Sequence, residues 1–207
     1  MSNLIKKYHV KVSFITPMLG TVPKNRELYT DFIKSKAPED MDTEDEASTA
    51  PDAEELLSVV GTTFHMLNGH PIIYDYLVKG HFKAACSSLR RNSKSKSAGL
   101  KAHKKIIDQL VMVYPRQIPI HLNGDLISGK DLGIIERSLR VSGPKGERTC
   151  LSKSDFVPVG SSVEYEIKVL GGVTDELLKE WLWYGQFSGY GQWRSGSYGR
   201  FEYTLTK

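Results

Sequence analysis

Residues 181–205 read WLWYGQFSGYGQWRSGSYGRFEYTL, a stretch in which glycine is interleaved with aromatic and arginine side chains. Four glycines fall within the eleven residues 189–199. Glycine has no Cβ, so a ligand can approach its backbone closely, and aromatic and arginine side chains suit stacked bases or phosphates. A tight connection whose aromatic side chains only cover the core fits the same composition. The candidate binding residues of this stretch are Gly189, Tyr190, Gly191, Trp193, Arg194, Tyr198 and Arg200.

This loop lies between a predicted helix and a predicted strand. Thr174 is a suitable N-cap, and apolar residues recur at helical spacing as far as Gly185. After the glycines, Phe201, Tyr203 and Leu205 alternate with polar residues, which is typical of a half-buried strand. A dinucleotide-binding fingerprint has its glycines after a strand and before a helix. The reverse order here argues against a nucleotide-cofactor fold of that kind.

The chain has 207 residues, of which 40% are hydrophobic, so it can bury a core as a single domain, residues 1–207. No apolar run approaches the roughly 18 residues of a membrane helix, and the N-terminal residues lack a signal-peptide core. A cytoplasmic protein with no membrane partner is therefore the expectation. The two cysteines, Cys86 and Cys150, form no CxxC pair and no cluster with histidine. We predict buried free thiols, and neither a metal site nor a cofactor.

The net charge of +4 conceals a separation of charges along the chain. Residues 39–55 contain nine acids and no base, which leaves +13 on the rest of the chain. Residues 79–105 contain nine bases and no acid. A basic segment this one-sided indicates a polyanionic partner, although a solvated lysine-rich surface fits the same count. The acidic segment 38–55, which also carries Pro, Ser and Thr, is predicted to be a mobile insertion.

Apolar periodicity predicts strands and helices that interleave without strict βαβα regularity, which favours an α+β sandwich over a doubly wound sheet. The stretch 132–141 mixes apolar and charged residues and receives no assignment, and residues 143–148 are predicted to be a loop. The predicted strands are 7–16, 62–66, 110–114, 118–122, 163–169 and 201–205. The predicted helices are 25–36, a short one from Ala53, 76–89, 101–109 and 174–184.

The helix predicted over 76–89 places its basic residues opposite its apolar residues, so it begins a basic surface. That surface continues into a basic loop at 92–105, which is predicted to be flexible over 92–99 because of its serine-rich composition. The candidate anion-binding residues outside the glycine-rich stretch are Lys79, Lys83, Arg90, Arg91 and Arg116.

Four segments carry a likeness to a known family. They are ITPMLGT (15–21), PIIYDYLVKGHFKAACSSLRR (71–91), FVPVGSSVEYEIKVL (156–170) and GYGQWRSGSYGRFEY (189–203). In this order they resemble the RAMP superfamily, the ferredoxin-like RNA-binding proteins of CRISPR effector and processing complexes in antiviral defence. The resemblance implies an α+β fold with a ferredoxin-like or RRM-like βαββαβ core, insertions and a C-terminal glycine-rich loop. It also implies that this loop and the helix bearing Lys79 lie near an RNA-facing surface.

The chain departs from the family pattern at two points. Many members have glycine and serines before the KG helix, whereas this chain has Tyr74, Asp75 and Tyr76. This substitution argues against close backbone contact with phosphate at that turn. A second glycine-rich loop is also missing from the sequence, which disfavours a tandem two-module processing enzyme.

The resemblance implies a non-catalytic RNA-binding subunit that packs along a guide RNA or another single-stranded RNA, with copies of itself or related subunits as partners. The basic candidates would neutralise phosphates, and Trp193, Tyr190 and Tyr198 would stack on bases or hold the loop. A metal-independent endoribonuclease remains an alternative, because histidines are available as acid and base. A repurposed protein-interaction factor of a mobile element or virus is the other alternative. The candidate histidines are His9, His65, His70, His81, His103 and His121.

Overall fold

The computed structural model describes residues 5–24, 61–143 and 146–207, without the side chains of residues 139–143 and 146–150. The helices predicted over 25–36 and from Ala53, and the acidic insertion, lie outside the described residues. The helices are α1 (Asp75–Leu89), α2 (His103–Leu110) and α3 (Asp175–Trp183). The strands are β1 (Lys6–Phe14), β2 (Met18–Leu19), β3 (Val22–Pro23), β4 (Gly61–Thr63), β5 (His65–Leu67), β6 (His70–Tyr74), β7 (Val111–Tyr114), β8 (Gln117–Leu122), β9 (Asp125–Leu126), β10 (Gly133–Gly143), β11 (Gly146–Val157), β12 (Ser161–Val169) and β13 (Phe201–Thr206).

Strand β1 lies inside the larger of two sheets. It pairs antiparallel with β12 on one side and with β13 on the other. From β12 the sheet continues through β8 and β6 to β5, while β7 also pairs with β12 and β9 with β8. This arrangement confirms the predicted α+β, ferredoxin-like fold class. Strands β2 to β6 stand between β1 and α1, so the chain does not run as an uninterrupted βαββαβ unit.

One face of the larger sheet forms the main core with helices α1 and α3. The ring centroids of Phe82 in α1 and Trp181 in α3 lie 5.7 Å apart. Burial of each such side chain contributes about 1.5–3 kcal/mol, so the apolar residues hold both helices on this face. The inward side chains of β1 are at most 2% exposed; they are Tyr8, Val10, Val12 and Phe14.

Helix α3 and the turn after it bring the C-terminal strand back onto the sheet. The Oγ1 of Thr174 accepts a hydrogen bond from the Leu177 backbone N–H at 3.3 Å, as the predicted cap requires. After the helix ends at Trp183, a Cβ on Gly185 would lie 2.2 Å from the ring of Phe201. Only glycine at this position leaves room for Phe201, the first residue of β13, to pack into the core.

The smaller sheet is built on the β10–β11 hairpin, which the sequence analysis missed. Its order is β10–β11–β4–β3, with β2 also paired to β11, and only the β4–β11 pairing among its described strands is parallel. The side chains of Ile134 and Leu151 are 63% and 55% exposed. Arg137 and Ser154 occupy the opposite, covered face. Ile135 shares this covered face while its neighbour Ile134 faces solvent, so apolar residues lie on both faces and the sequence lacks the alternation of a half-buried strand.

The segment predicted to be flexible over 92–99 is anchored to helix α3. Ser97 is fully buried, in a short 3-10 helix. Its backbone N–H and hydroxyl both donate to the Glu180 carboxylate, at 3.0 and 2.6 Å. The Nε1–H of Trp181 donates to the Ser97 hydroxyl at 3.0 Å. Burial raises the pKa of Glu180, but these hydrogen bonds together lower it, because they favour the ionised form.

Candidate nucleic-acid interface

Helix α1 and the glycine-rich loop, residues 188–200, meet in a cleft of about 220 Å³. Arg194, which is exposed, lies on the loop side of the cleft. Two segments that the sequence separates by about a hundred residues therefore share one surface. The cleft is lined by Thr21, by Tyr76, Leu77, Gly80 and His81 of α1, and by Gly189, Tyr190, Gly191 and Arg194 of the loop.

The glycines of the loop bring its own backbone together. A Cβ on Gly189 would lie 1.5 Å from the carbonyl oxygen of Gly199, and that carbonyl accepts a hydrogen bond from the Tyr190 N–H at 2.9 Å. A Cβ on Gly191 would lie 2.4 Å from the carbonyl oxygen of Leu19. The sequence analysis left two interpretations of this glycine density, the approach of a ligand and a tight connection. The close contacts of Gly189 and Gly191 with the loop's own backbone and with strand β2 are those of a tight connection.

Tyr190 holds the loop, one of the two roles predicted for it. Its side chain is only 1% exposed, and its hydroxyl lies 2.7 Å from the hydroxyl of Tyr165. Burial raises the pKa of both phenols, so both stay neutral and share one hydrogen bond. The ring also packs against Phe201, with centroids 4.6 Å apart. Tyr190 is therefore part of the core and offers no free ring face to a base.

Trp193 and Tyr198 form an aromatic stack with Arg137, a residue that the sequence analysis did not select. The two rings lie 5.1 Å apart and within 17° of parallel. The guanidinium of Arg137 lies over the indole, 4.7 Å from its centroid. Trp193 remains 40% exposed. Partial burial lowers the pKa of Arg137, yet a guanidinium stays charged in proteins, so the stack combines an exposed aromatic surface with a fixed positive charge.

A polar network connects this stack to the smaller sheet. Arg137 donates to the Ser154 hydroxyl at 3.2 Å and to the Gln192 side-chain carbonyl at 3.0 Å. The Thr62 hydroxyl donates to the same Gln192 oxygen at 2.8 Å and lies 3.0 Å from the Ser154 hydroxyl. Strands β4, β10 and β11 thus position the loop residue that precedes Trp193. In the sequence, only Arg137 pointed to this network, and it lies in a stretch without recognisable apolar periodicity.

The two arginines of the loop play different roles. Arg200 is half-buried, and its guanidinium donates to the Ser197 hydroxyl at 2.8 Å. Its backbone N–H donates to the Thr16 hydroxyl at 2.8 Å, so Arg200 fastens the loop to the chain after β1. Arg194 is exposed beside the cleft. Of these two candidates, Arg194 is the one presented to a partner.

A second cluster of basic side chains, Lys79 and Arg116, lies beside the N-terminal end of α1. Arg116 lies over the ring of Tyr74, 5.5 Å from its centroid, and Tyr74 stacks on Tyr76 with centroids 5.4 Å apart. Burial raises the pKa of Asp75, while the charges of Lys79 and Arg116 lower it. Lys79, Arg116 and one partly buried carboxylate therefore lie close together. Tyr74 and Tyr76 build an aromatic edge at this end of the helix.

The remaining basic candidates lie further along α1. Lys83 forms an ion pair with Asp108 of α2 at 2.5 Å. Arg90 donates to the Nδ1 of His103 at 3.2 Å, and Arg91 is exposed. At 1.5 Å per residue, Arg90 lies roughly 16 Å from Lys79 along the helix. The predicted basic surface therefore divides into a part at the cleft and a part at the far end of α1.

The outer face of the larger sheet carries charges of both signs. Lys11 of β1 lies opposite Glu164 of β12 and pairs with it at 2.9 Å. Glu166, also on β12, pairs with Lys168 at 3.1 Å and lies 3.9 Å from His9. Because Lys11 and Lys168 already have carboxylate partners, this face is a weaker attractor of polyanions than the helix side.

Four of the six candidate histidines, His65, His70, His81 and His103, are buried or hydrogen-bonded within the fold, whereas His9 is exposed. His65, His81 and His103 are all buried, and burial lowers the pKa of His65 and of His81 to about 4. The Nε2 of His81 donates to the Trp181 carbonyl at 2.9 Å. His70 lies 2.9 Å from the Ile127 carbonyl, and His121 is half-buried on β8. The described part of the chain contains no cluster of three or more potential metal ligands among His, Cys, Asp and Glu.

None of the helices in the described ranges has both the length and the apolar composition to cross a membrane. Cys86 is a buried free thiol, and burial raises its pKa. This confirms the prediction for Cys86. The side chain of Cys150 lies outside the described residues.

The protein therefore has an α+β fold with a ferredoxin-like sheet. A basic helix and a glycine-rich loop lie beside each other on this fold. No protein-family model and no curated protein matches the sequence. Among solved structures, a chain of the type III-B Cmr-beta complex bound to cognate target RNA is similar over 100% of this chain and 62% of its own length, with a TM-score of 0.54 and 12% identity. A chain of a type IV-B CRISPR complex is similar over 97% of this chain and 90% of its own length, with a TM-score of 0.50 and 10% identity. At this identity the likeness concerns the fold, and the chain spans less than two thirds of the Cmr-beta chain.

Proposed function

We propose that this chain is a RAMP-type, non-catalytic RNA-binding subunit of a ribonucleoprotein assembly. The observation that carries the proposal is the cleft between α1 and the glycine-rich loop, which Arg194 lines. The residue before Arg194 is Trp193, whose side chain is 40% exposed. A cation next to an exposed aromatic ring suits a single strand, which presents a phosphate and an unstacked base together.

The residues have separate roles in this proposal. Arg194 contacts a phosphate at the cleft, Lys79 and Arg116 contact phosphates beside the N-terminal part of α1, and the exposed edge of the Trp193–Tyr198 pair offers a surface for a base. Lys83, Arg90 and Arg91 extend the positive surface along α1 for the next part of the strand. The glycines, Tyr190 and Arg200 act by fixing the loop, so that Trp193 and Arg194 are in position before RNA arrives.

Two considerations support an assembly. The similar chains come from CRISPR complexes, and one of those complexes is described as bound to target RNA. Ile134 and Leu151 expose apolar side chains on the outer face of the β10–β11 hairpin, one on each side of the Glu136–Lys153 ion pair, and this mixed face is the proposed contact with another protein surface. Related subunits or further copies of this chain are the proposed partners.

Titration of the purified protein with labelled single-stranded RNA tests the proposal. We expect binding at low salt whose log–log slope against salt is about −0.7 for each phosphate contacted. Lack of RNA affinity at low salt would overturn the proposal.

Affinity purification with and without nuclease then separates the alternatives. Copurified short RNA supports the RNA-binding role, a complex that survives nuclease points to a protein-interaction factor, and cleavage of added RNA points to an endoribonuclease.

A further inference from the structure

Gly80 lies in the second turn of α1, where glycine has no structural reason to be. Glycine inside a helix costs about 0.5–1 kcal/mol relative to alanine. At Gly20, Gly61 and Gly189 a Cβ would lie 1.5–2.1 Å from a backbone atom, so glycine is required there. At Gly80 no atom of the described chain lies within 4 Å of the added Cβ, and the backbone is helical.

The bare surface at Gly80 faces the cleft. Gly80 lines it together with Tyr76 and Leu77, which precede it by four and three residues and share its side of the helix. Arg194 lines the cleft from the glycine-rich loop, and Lys79 immediately precedes Gly80 in α1. A side chain at position 80 would therefore project into the space between the two elements that carry these cations.

This space is smaller than a typical small-molecule pocket. Pockets that enclose a small-molecule ligand usually measure about 300–1,000 Å³, and this cleft measures about 220 Å³. A ribose-phosphate backbone needs only a narrow channel with cations beside it. Lys79 and Arg194 favour an anionic chain over a polypeptide.

We propose that Gly80 is kept without a side chain so that the sugar-phosphate backbone of an RNA strand lies directly against helix α1, between Lys79 and Arg194. This inference rests on the proposed function and specifies the path of the strand. Gly80 leaves space for the RNA backbone, and the cations Lys79 and Arg194 attract its phosphates.

The variants Gly80→Ala and Gly80→Leu test the proposal, because both residues favour a helix. We expect Gly80→Ala to raise the melting temperature by about 2–4 °C, since the helix gains propensity. We expect its RNA affinity to fall by about tenfold, equivalent to about 1.4 kcal/mol, and that of Gly80→Leu to fall further. Ser88→Ala is the matched control, because Ser88 is exposed on the same helix two turns away.

The possible outcomes are distinct. Weaker RNA binding by a stable Gly80→Ala protein, with Ser88→Ala unchanged, supports the inference. Unchanged binding by both Gly80 variants overturns it while leaving the proposed function intact. A lower melting temperature of Gly80→Ala also overturns it, because the added side chain would then meet another part of the protein. A wild-type protein without RNA affinity overturns the proposed function and this inference together.

Discussion

Arg137 determines where Trp193 is held, because its guanidinium contacts the indole, Ser154 and Gln192 at once. The planar fork of arginine can stack and donate in two directions, which the ammonium of lysine cannot do. In Arg137→Lys we expect the free energy of unfolding to fall by about 1–3 kcal/mol. Chemical denaturation followed by tryptophan fluorescence measures this loss.

Lys153→Gln is the control for Arg137→Lys. Lys153 pairs with Glu136 at 2.6 Å on the outer face of the same hairpin. An exposed ion pair of this kind contributes less than about 1 kcal/mol. Equal losses in the two variants would contradict a special role for the inner-face arginine.

His81 makes the stability of the fold sensitive to acid. Burial, opposed by the bond to the Trp181 carbonyl, lowers its pKa to about 4, whereas the unfolded residue has a pKa near the ordinary 6.5. Above pH 6.5 neither state is protonated. As the pH falls from 6.5 to 4, the unfolded state takes up a proton that the folded state does not, so the free energy of unfolding falls by about 3 kcal/mol.

The variant His81→Gln isolates this contribution, because its amide nitrogen can replace Nε2 as donor to Trp181 while it does not titrate. We expect wild type to lose stability between pH 6.5 and 4, and His81→Gln to lose less over that interval. His65, whose pKa is lowered to about 4 in the same way, accounts for acid sensitivity that remains. Identical pH profiles for the two proteins would refute the assignment to His81.

At the scale of elements, the glycine-rich loop depends on close contacts between its two ends. In Gly189→Ala the new Cβ would overlap the Gly199 carbonyl, so the loop must shift. We expect a loss of stability of about 1–3 kcal/mol, together with weaker RNA binding. Gly99→Ala is the control, because no atom of the described residues lies within 4 Å of its Cβ. Comparable melting temperatures for the two variants would contradict this account.

The elements that the sequence predicted correctly are those with one apolar and one polar side. β1 and β12 show a period of two, and α1 and α3 show a helical period, because each covers the same core. The β10–β11 hairpin escaped prediction because its covered face mixes Arg137 and Ser154 with apolar residues, while Ile134 and Leu151 face solvent. A local sequence pattern reports the kind of surface that an element buries, and this surface is mixed.

The binding residues of the candidate site could be predicted only in part from the sequence. Trp193 and Arg194 were selected by residue type, and the structure leaves both exposed. Tyr190 has the same residue type as Tyr198 but is buried against Tyr165. Sequence spacing cannot distinguish these two tyrosines, because the difference arises from tertiary contacts with β12.

At the scale of the whole molecule, the two faces of the larger sheet differ in electrostatic character. The outer face pairs Lys11 with Glu164, whereas the helix side has Arg194 in the lining of the cleft and Lys79 on the adjoining helix α1. An RNA strand should therefore follow the helix side. The variants Lys79→Gln and Arg194→Gln should each weaken RNA binding and make its log–log salt slope shallower by about 0.7, the value for one phosphate contact on a single strand. Lys11→Gln, which removes the same charge from the outer face, should leave both quantities nearly unchanged. Titrations at several salt concentrations measure affinity and slope together, and a loss in Lys11→Gln as large as in Lys79→Gln would move the RNA to the outer face of the sheet.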